Sequence, residues 1–271
     1  MSFSINTNTS SQYAGVNTNN QNNTLNRSLN ALSSGNQITN AAFNAAGLSI
    51  ADKLSAQVAG LGQAIMNSND SIGMMQVADG GLQGINDNFD RIRVLTLQAS
   101  NGTLGDDDRA NIQKEIDGLL ESSNDIANQT SFNGIQLLDG SVGSFTTQSG
   151  ANSGENQTAT IADARVSALI GSVDVTTEAG RNSALGDIDK ALASIGENRA
   201  GVGAAQNQLM SNIRNISVSQ VNSASAESQI RDVDFAQESA NFSRANLMSQ
   251  IGSFAQAQSN AVAGNVTRLF Q

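Results

Sequence analysis

Residues Ala51 to Leu82 read ADKLSAQVAGLGQAIMNSNDSIGMMQVADGGL. Ala51, Leu54, Val58, Leu61, Ile65, Ser68, Ile72, Met75, Asp79 and Leu82 alternate by three and four, with Ser68 and Asp79 as the polar members. That period places one stripe along one face of a helix and asks for a partner helix to cover it. The phase slips near Gly80, Gly81 and Gly84, and the stripe resumes at Ile85, Phe89, Ile92 and Leu95. A slipped phase turns the seam around the helix, and glycines loosen the backbone there. A helix from Ala46 to Ser100 would span about 80 Å at 1.5 Å per residue, which calls for an elongated bundle.

The same period recurs on either side. Asn101 to Gly105 is a break, and Asp106, Asp107 and Asp108 favour the start of a second helix carrying Ile112, Ile116, Leu119, Ser123 and Ile126. From about residue 130 to 177 the pattern is lost. Asn133-Gly134 and Asp139-Gly140 are turn dipeptides flanking Ile135 to Leu138, and Gly, Ser and Thr then dominate, so this stretch reads as short strands and loops. The helical signal returns near Glu178 with Leu185, Ile188, Leu192, Ile195, Arg199, Val202, Gln206, Leu209, Ile213 and Ile216. Ser217 to Ser225 is a polar weak point before a last helix. In that helix Leu247, Ile251, Phe254 and Ala261, then Val262, Val266 and Leu269, form a terminal stripe, and Leu25, Leu29 and Leu32 repeat its four-three step near the other end. The expected fold is mainly α: an elongated antiparallel helical bundle or coiled coil with the N- and C-termini paired, plus a small β-hairpin region.

Composition removes whole classes of chemistry. The 271 residues include no His, Cys, Pro or Trp. A Ser-His-Asp triad, a thiolate nucleophile and Cys- or His-based metal sites are therefore excluded, and no cofactor is expected. The net charge of -10 argues against nucleic acid and anionic membranes as partners. No run approaches the roughly 20 apolar residues that cross a bilayer, and no cationic segment followed by an apolar one marks a cleaved secretory signal. A chain without thiols or prolyl bonds can be unfolded, moved and refolded without mispairing or slow isomerisation. Charged residues make up only 14%, so copies of this surface repel one another weakly.

Three smaller signals have plainer readings. Asp106-Asp107-Asp108 lacks the spaced ligands of a calcium loop and reads as a solvated helix start. Gly201-x-Gly203 lies inside a helical stripe with no strand before it, so close helix packing explains it better than a phosphate loop. Met74 and Met75 read as core or interface filler.

The motifs, taken in order, resemble those of bacterial flagellin over essentially the whole chain. Ile5-Asn6-Thr7-Asn8 resembles the family's opening. Leu32-Ser33-Ser34-Gly35 with Ile38, Ala41, Ala42, Gly47, Ile50 and Ala51 follows LSSG..I..AA....G..IA. Thr130-Ser131-Phe132-Asn133-Gly134, followed by Leu137-Leu138, resembles T-x-F-N-G, and Gly150-Ala151-Asn152 with Gly154 resembles a family loop. Arg199-Ala200-Gly201-Val202-Gly203-Ala204 with Gln206-Asn207 resembles R-A-x-L-G-A-x-Q-N, and Ser243-Arg244-Ala245 and Val266-Thr267-Arg268-Leu269 complete the set.

The resemblance implies a minimal flagellin. Residues 1–43 and 231–271 would form a discontinuous inner-core coiled-coil domain. Residues 44–230 would form an outer-core helical bundle with the β-rich excursion at about 130–177, without large variable outer domains. It implies a structural, non-enzymatic subunit that self-assembles into the helical flagellar filament for swimming motility and orders its terminal helices on polymerisation. The alternative is a hook–filament junction protein of the same superfamily, or a minor flagellin. Its partners would be many copies of itself, an export chaperone, the tip cap, hook-junction proteins and a vertebrate flagellin-sensing Toll-like receptor. Its location would be extracellular, reached through the flagellar type III apparatus without a cleaved signal. The implied assembly residues are Leu25, Leu29, Leu32, Leu247, Ile251, Phe254, Val266 and Leu269. Arg91, Leu95 and Glu115 match the receptor-binding positions, with Val94 standing where an acidic residue is common. A protofilament switch hairpin is expected at roughly Leu137 to Gly150, with Leu137, Leu138, Asp139 and Gly140 in it.

Overall fold

The computed structural model describes residues 7–269. Among them are six helices and two pairs of short antiparallel strands. The chain falls into two compact units, one formed by residues 1–56 with 222–271 and the other by residues 57–221.

Helix α1 (Thr9–Ser34) begins where the Asn8 side chain accepts the Ser11 N–H at 3.1 Å. It stops at Gly35, whose φ of 71° lets its N–H reach back to the Ala31 carbonyl at 2.9 Å. Helix α2 (Ala45–Ala99) is continuous through Gly80, Gly81 and Gly84. Helix α3 (Asp106–Gln129) carries three aspartates in its first turn, where the exposed N–H groups favour negative charge. The third of them, Asp108, accepts the Gly105 N–H at 3.2 Å. Helix α5 (Glu178–Arg231) runs unbroken through Ser217 to Ser225, so the polar weak point read from the sequence is not a break. Its serines are small enough to leave the helical backbone intact. Helix α6 is Phe235–Leu269.

The unit of residues 57–221 holds the main core. Its largest fully buried side chains include Phe89, Met75, Leu82, Ile188, Ile195 and Leu138. On α2 a buried line runs through Leu61, Ala64, Ser68, Met75, Ala78, Leu82, Ile85, Phe89, Ile92, Thr96 and Ala99, with Met74 and Leu95 buried beside it and Ala51 buried in the other unit. The steps are three and four throughout, with one of seven. The expected phase slip is therefore absent: Ala78, not Asp79, faces inward. Asp79 flanks the seam and accepts from Arg199 Nε of α5 at 2.8 Å. On α5 the small Ala184 and Ala191 are buried where the sequence favoured Leu185 and Leu192, because a small residue fits where the backbones come close. Close packing does explain Gly81, where a Cβ would stand 2.6 Å from Thr130 Oγ1 and 2.7 Å from Leu138 Cδ1. It does not explain Gly201 and Gly203, since nothing lies within 4 Å of a Cβ built on either.

The excursion between α3 and α5 contains two hairpins and a single helical turn, α4 (Val166–Leu169). Strands β1 (Ser131–Phe132) and β2 (Ile135–Gln136) are joined by Asn133-Gly134, both at positive φ, as a two-residue hairpin turn requires. Strands β3 (Ser144–Gln148) and β4 (Asn156–Thr160) pair in register from Ser144↔Thr160 to Gln148↔Asn156. The second hairpin is held to the helices through two backbone carbonyls and one side chain. Asn67 of α2 donates to the Gln148 carbonyl, Asn212 of α5 donates to the Ser149 carbonyl, and the Ser71 and Thr147 hydroxyls meet at 2.6 Å.

Candidate functional site

Helices α1 and α6 pack antiparallel within the unit of residues 1–56 and 222–271. The Asn8 amide donates to the Ser259 carbonyl at 3.1 Å, Ser249 and Asn22 meet at 2.7 Å, and Asn36 bridges to Asp232. Gly15 lies against Gln256, and Gly252 lies against Thr18, where a Cβ would stand 2.5 Å from its hydroxyl. The α6 side of this seam is Ala245, Ser249, Gly252, Gln256, Ser259 and Ala263, in steps of four, three, four, three and four, and these positions are the less exposed ones along this stretch. Ser11, Ser28 and Ala31 are the buried residues of α1. The termini therefore pair as expected, but through small and polar side chains.

The large apolar residues of the terminal stripe lie on other faces. Leu247 is 60% exposed, Ile251 60% and Phe254 73%. On α1, Leu25 and Leu32 are half-buried and Leu29 is exposed. The side chains of Val266 and Leu269 lie outside the described residues, as do Ile5 and Asn6 of the opening motif. A helix whose large apolar side chains face away from its own partner helix retains a second, uncovered apolar face. Periodicity alone could not separate that face from the seam, because the seam carries almost no hydrophobic signal.

The other candidate residues lie in the unit of residues 57–221. Arg91 of α2 donates from Nη2 and Nε to Glu115 Oε1 of α3, at 2.7 and 3.2 Å. Both side chains are about half exposed, so the pair adds at most about 1 kcal/mol to stability. Leu95 is only 2% exposed and belongs to the core. It offers no surface of its own.

The hairpin expected at Leu137 to Gly150 is displaced. Leu137 and Leu138 are consecutive and both fully buried, a pattern that a two-faced strand cannot supply. The longer hairpin begins only at Ser144, after Gly143 at φ 55°. Asp139 and Gly140 form the turn between Leu138 and that hairpin. Asp139 accepts from the Ser141 hydroxyl and N–H, and those bonds hold its carboxyl below the usual range. Gly140 has φ 79°, and a Cβ on it would stand 2.9 Å from Asp163 Oδ2. The Arg165 side chain likewise lowers the Asp163 carboxyl. Among the described residues no group of three or more acidic side chains is placed to hold a metal ion. No helix is long and apolar enough to cross a membrane.

Residues 5–143 match the bacterial flagellin N-terminal helical region, and residues 185–270 match the bacterial flagellin C-terminal helical region. The chain belongs to the bacterial flagellin family. It is 38% identical to a flagellin of Halalkalibacterium halodurans, over 86% of this chain and 87% of that one. It is 35% identical to the flagellar filament 31.3 kDa core protein of Treponema maltophilum, over 90% and 92%. Among solved structures, the Bacillus cereus flagellin crystal structure superposes with a TM-score of 0.51 at 26% identity, covering 56% of this chain and 88% of that one. A protein assigned to the flagellar hook-associated class from Vibrio parahaemolyticus gives a TM-score of 0.57, covering 66% and 95%, but at 14% identity it shares the fold alone. Flagellins are structural proteins of the filament, and the two family regions cover α1, α2, α3, α6 and all of α5 from Leu185 on.

Proposed function

We propose that the chain is a core subunit of the flagellar filament, acting by self-assembly and not by catalysis. The observation that carries this reading is the face of α6 bearing Leu247, Ile251 and Phe254. It is left uncovered by α1 in a chain whose relatives are named as filament core proteins. A seam of Ala, Ser, Gly and Gln buries little apolar surface. Ordering each residue costs about 1–2 kcal/mol of backbone entropy, whereas one buried Leu or Ile returns about 1.5–3 kcal/mol. The terminal helices of an isolated subunit are therefore weakly held, and neighbouring copies complete their order. In this reading the unit of residues 1–56 and 222–271 is the inner-core domain and that of residues 57–221 is the outer core. The turn at Asp139-Gly140 and the β3–β4 hairpin are proposed as the protofilament switch. Head-to-tail contacts that do not close then generate an open helical polymer.

The test is electron microscopy of purified chain, heated to monomers and cooled with short seeds. Long uniform filaments are expected. A chain that stays monomeric, or only caps the seeds, belongs instead at the hook–filament junction.

An export chaperone, the tip cap, hook-junction proteins and export through the flagellar type III apparatus complete the proposed setting. We also assign Arg91 and Glu115 to recognition by a vertebrate flagellin-sensing Toll-like receptor, with buried Leu95 serving the core. In a receptor-reporter assay, Arg91→Ala is expected to reduce signalling about tenfold or more, the loss of one charged hot spot. An unchanged dose response would leave the pair as helix packing only.

A further inference from the structure

Among the described residues of the unit of residues 1–56 and 222–271, Arg27, Arg244 and Arg268 have no carboxylate partner, and the first two come together. Arg27 of α1 and Arg244 of α6 line one open pocket of about 440 Å³, together with Thr24, Gln37, Glu238 and Asn241. The Arg27 guanidinium lies 4.6 Å from the centroid of the Phe43 ring. Stacking on an aromatic face fixes a guanidinium without using its N–H donors, so Arg27 is pre-placed and still able to bind an anion. The Arg244 side chain is exposed and, among the described residues, takes part in no hydrogen bond or ion pair. Glu238 is engaged by Asn241 Nδ2 at 3.1 Å.

The same unit also carries the complement. Of its carboxylates, Glu227 pairs with Arg231, Asp232 accepts from Ser228, Asp234 caps α6 through the Ala236 and Gln237 N–H groups, and Glu238 is held by Asn241. Only Asp52 stands outside every such contact among the described residues. It is exposed on the first turns of α2, beside Lys53, on the rim of a separate pocket with Ala41, Ala45, Leu48 and Ala56.

We infer that the Arg27–Arg244 pocket of one copy receives Asp52 of a second copy. This rests on the filament reading above and names a contact within it. The charges are complementary. Two arginines and Glu238 on one surface oppose Asp52 and Lys53 on the other, so Glu238 also gains a cation. The two surfaces are different patches of one chain, so the contact is head-to-tail and propagates. A bidentate arginine–carboxylate pair suits such a contact because it fixes direction as well as proximity.

The test is a charge-reversal cycle on the full chain, read as the critical concentration for polymer at low salt. Arg244→Glu and Asp52→Lys are each expected to raise it about tenfold or more, since charge pairs at interfaces commonly couple by at least one decade. The double variant Arg244→Glu/Asp52→Lys, grown on its own seeds, is expected to return to within about threefold of the parent. Circular dichroism of all three monomers should match the parent, because both positions are exposed. Single variants that polymerise like the parent, or a double variant as poor as the sum of the singles, overturn the contact. A parent chain that fails to elongate seeds overturns the filament reading itself, and this inference with it.

Discussion

Leu247→Asp/Ile251→Asp is expected to abolish filament growth and leave the monomer's thermal unfolding unchanged. Both side chains are 60% exposed and lie off the α1–α6 seam, so the monomer loses almost no burial when they are replaced. In the proposed polymer the same positions are covered. Each lost Leu or Ile then removes about 1.5–3 kcal/mol, and each buried, unpaired carboxylate adds a further penalty. A loss of about 3–6 kcal/mol per subunit corresponds to a rise of roughly two to four decades in critical concentration. No polymer then forms at concentrations where the parent elongates seeds. Seam substitutions separate the two effects. Gly252 meets Thr18 within a contact too short for an added Cβ, so a larger residue there perturbs the α1–α6 pair inside one copy. If the double aspartate variant grew normal filaments, the exposed stripe would have no role in assembly.

How much of this was legible in the sequence follows from which surfaces are apolar. The long helices were, because large residues recur every three or four positions and the core of residues 57–221 is built from them. The break at Asn101 to Gly105 and the Asn133-Gly134 turn were also readable, since each rests on a local backbone requirement. The α1–α6 seam was not. Ser249, Gly252, Gln256 and Ser259 give no hydrophobic signal, and only geometry shows that they face Asn22, Thr18, Gly15 and Asn8. Two positions of the α2 stripe lie one residue off the buried line: Ala64 is buried where the period marks Ile65, and Ala78 where it marks Asp79. Asp79 satisfies the period as well as Ala78 does, and the partner that explains it, Arg199, lies 120 positions away. The resemblance places Leu95 at a contact surface, whereas it is buried in the core, and the three-four period does not separate the two. The hairpin was placed early because Leu137-Leu138 lies between turn dipeptides. Two adjacent leucines, both buried, are instead the plug that seats the excursion on α2.

That plug makes two neighbouring glycines behave oppositely. Helix propensity treats Gly80 and Gly81 alike: either replaced by Leu should gain about 0.5–1 kcal/mol from reduced backbone freedom in the unfolded chain. Packing separates them. Nothing lies within 4 Å of a Cβ on Gly80, so Gly80→Leu is expected to be neutral or to stabilise by up to about 1 kcal/mol. At Gly81 the Cβ alone would stand 2.6 Å from Thr130 Oγ1 and 2.7 Å from Leu138 Cδ1. Neither neighbour is free to move. The Thr130 hydroxyl donates to the Ile126 carbonyl at 2.6 Å, and Leu138 is fully buried with its carbonyl bonded to Ala164 N. Gly81→Leu must therefore push the turn after α3 off α2. The expected cost is about 3 kcal/mol, at the upper end for overpacking a close-packed core. For a unit of this size that corresponds to a fall in Tm of roughly 6–12 °C, read by calorimetry beside a Gly80→Leu control that does not fall. If both variants unfolded like the parent, the excursion would not be seated on α2 through Leu138, and the fixed placement of the β3–β4 hairpin that follows it would lose its anchor.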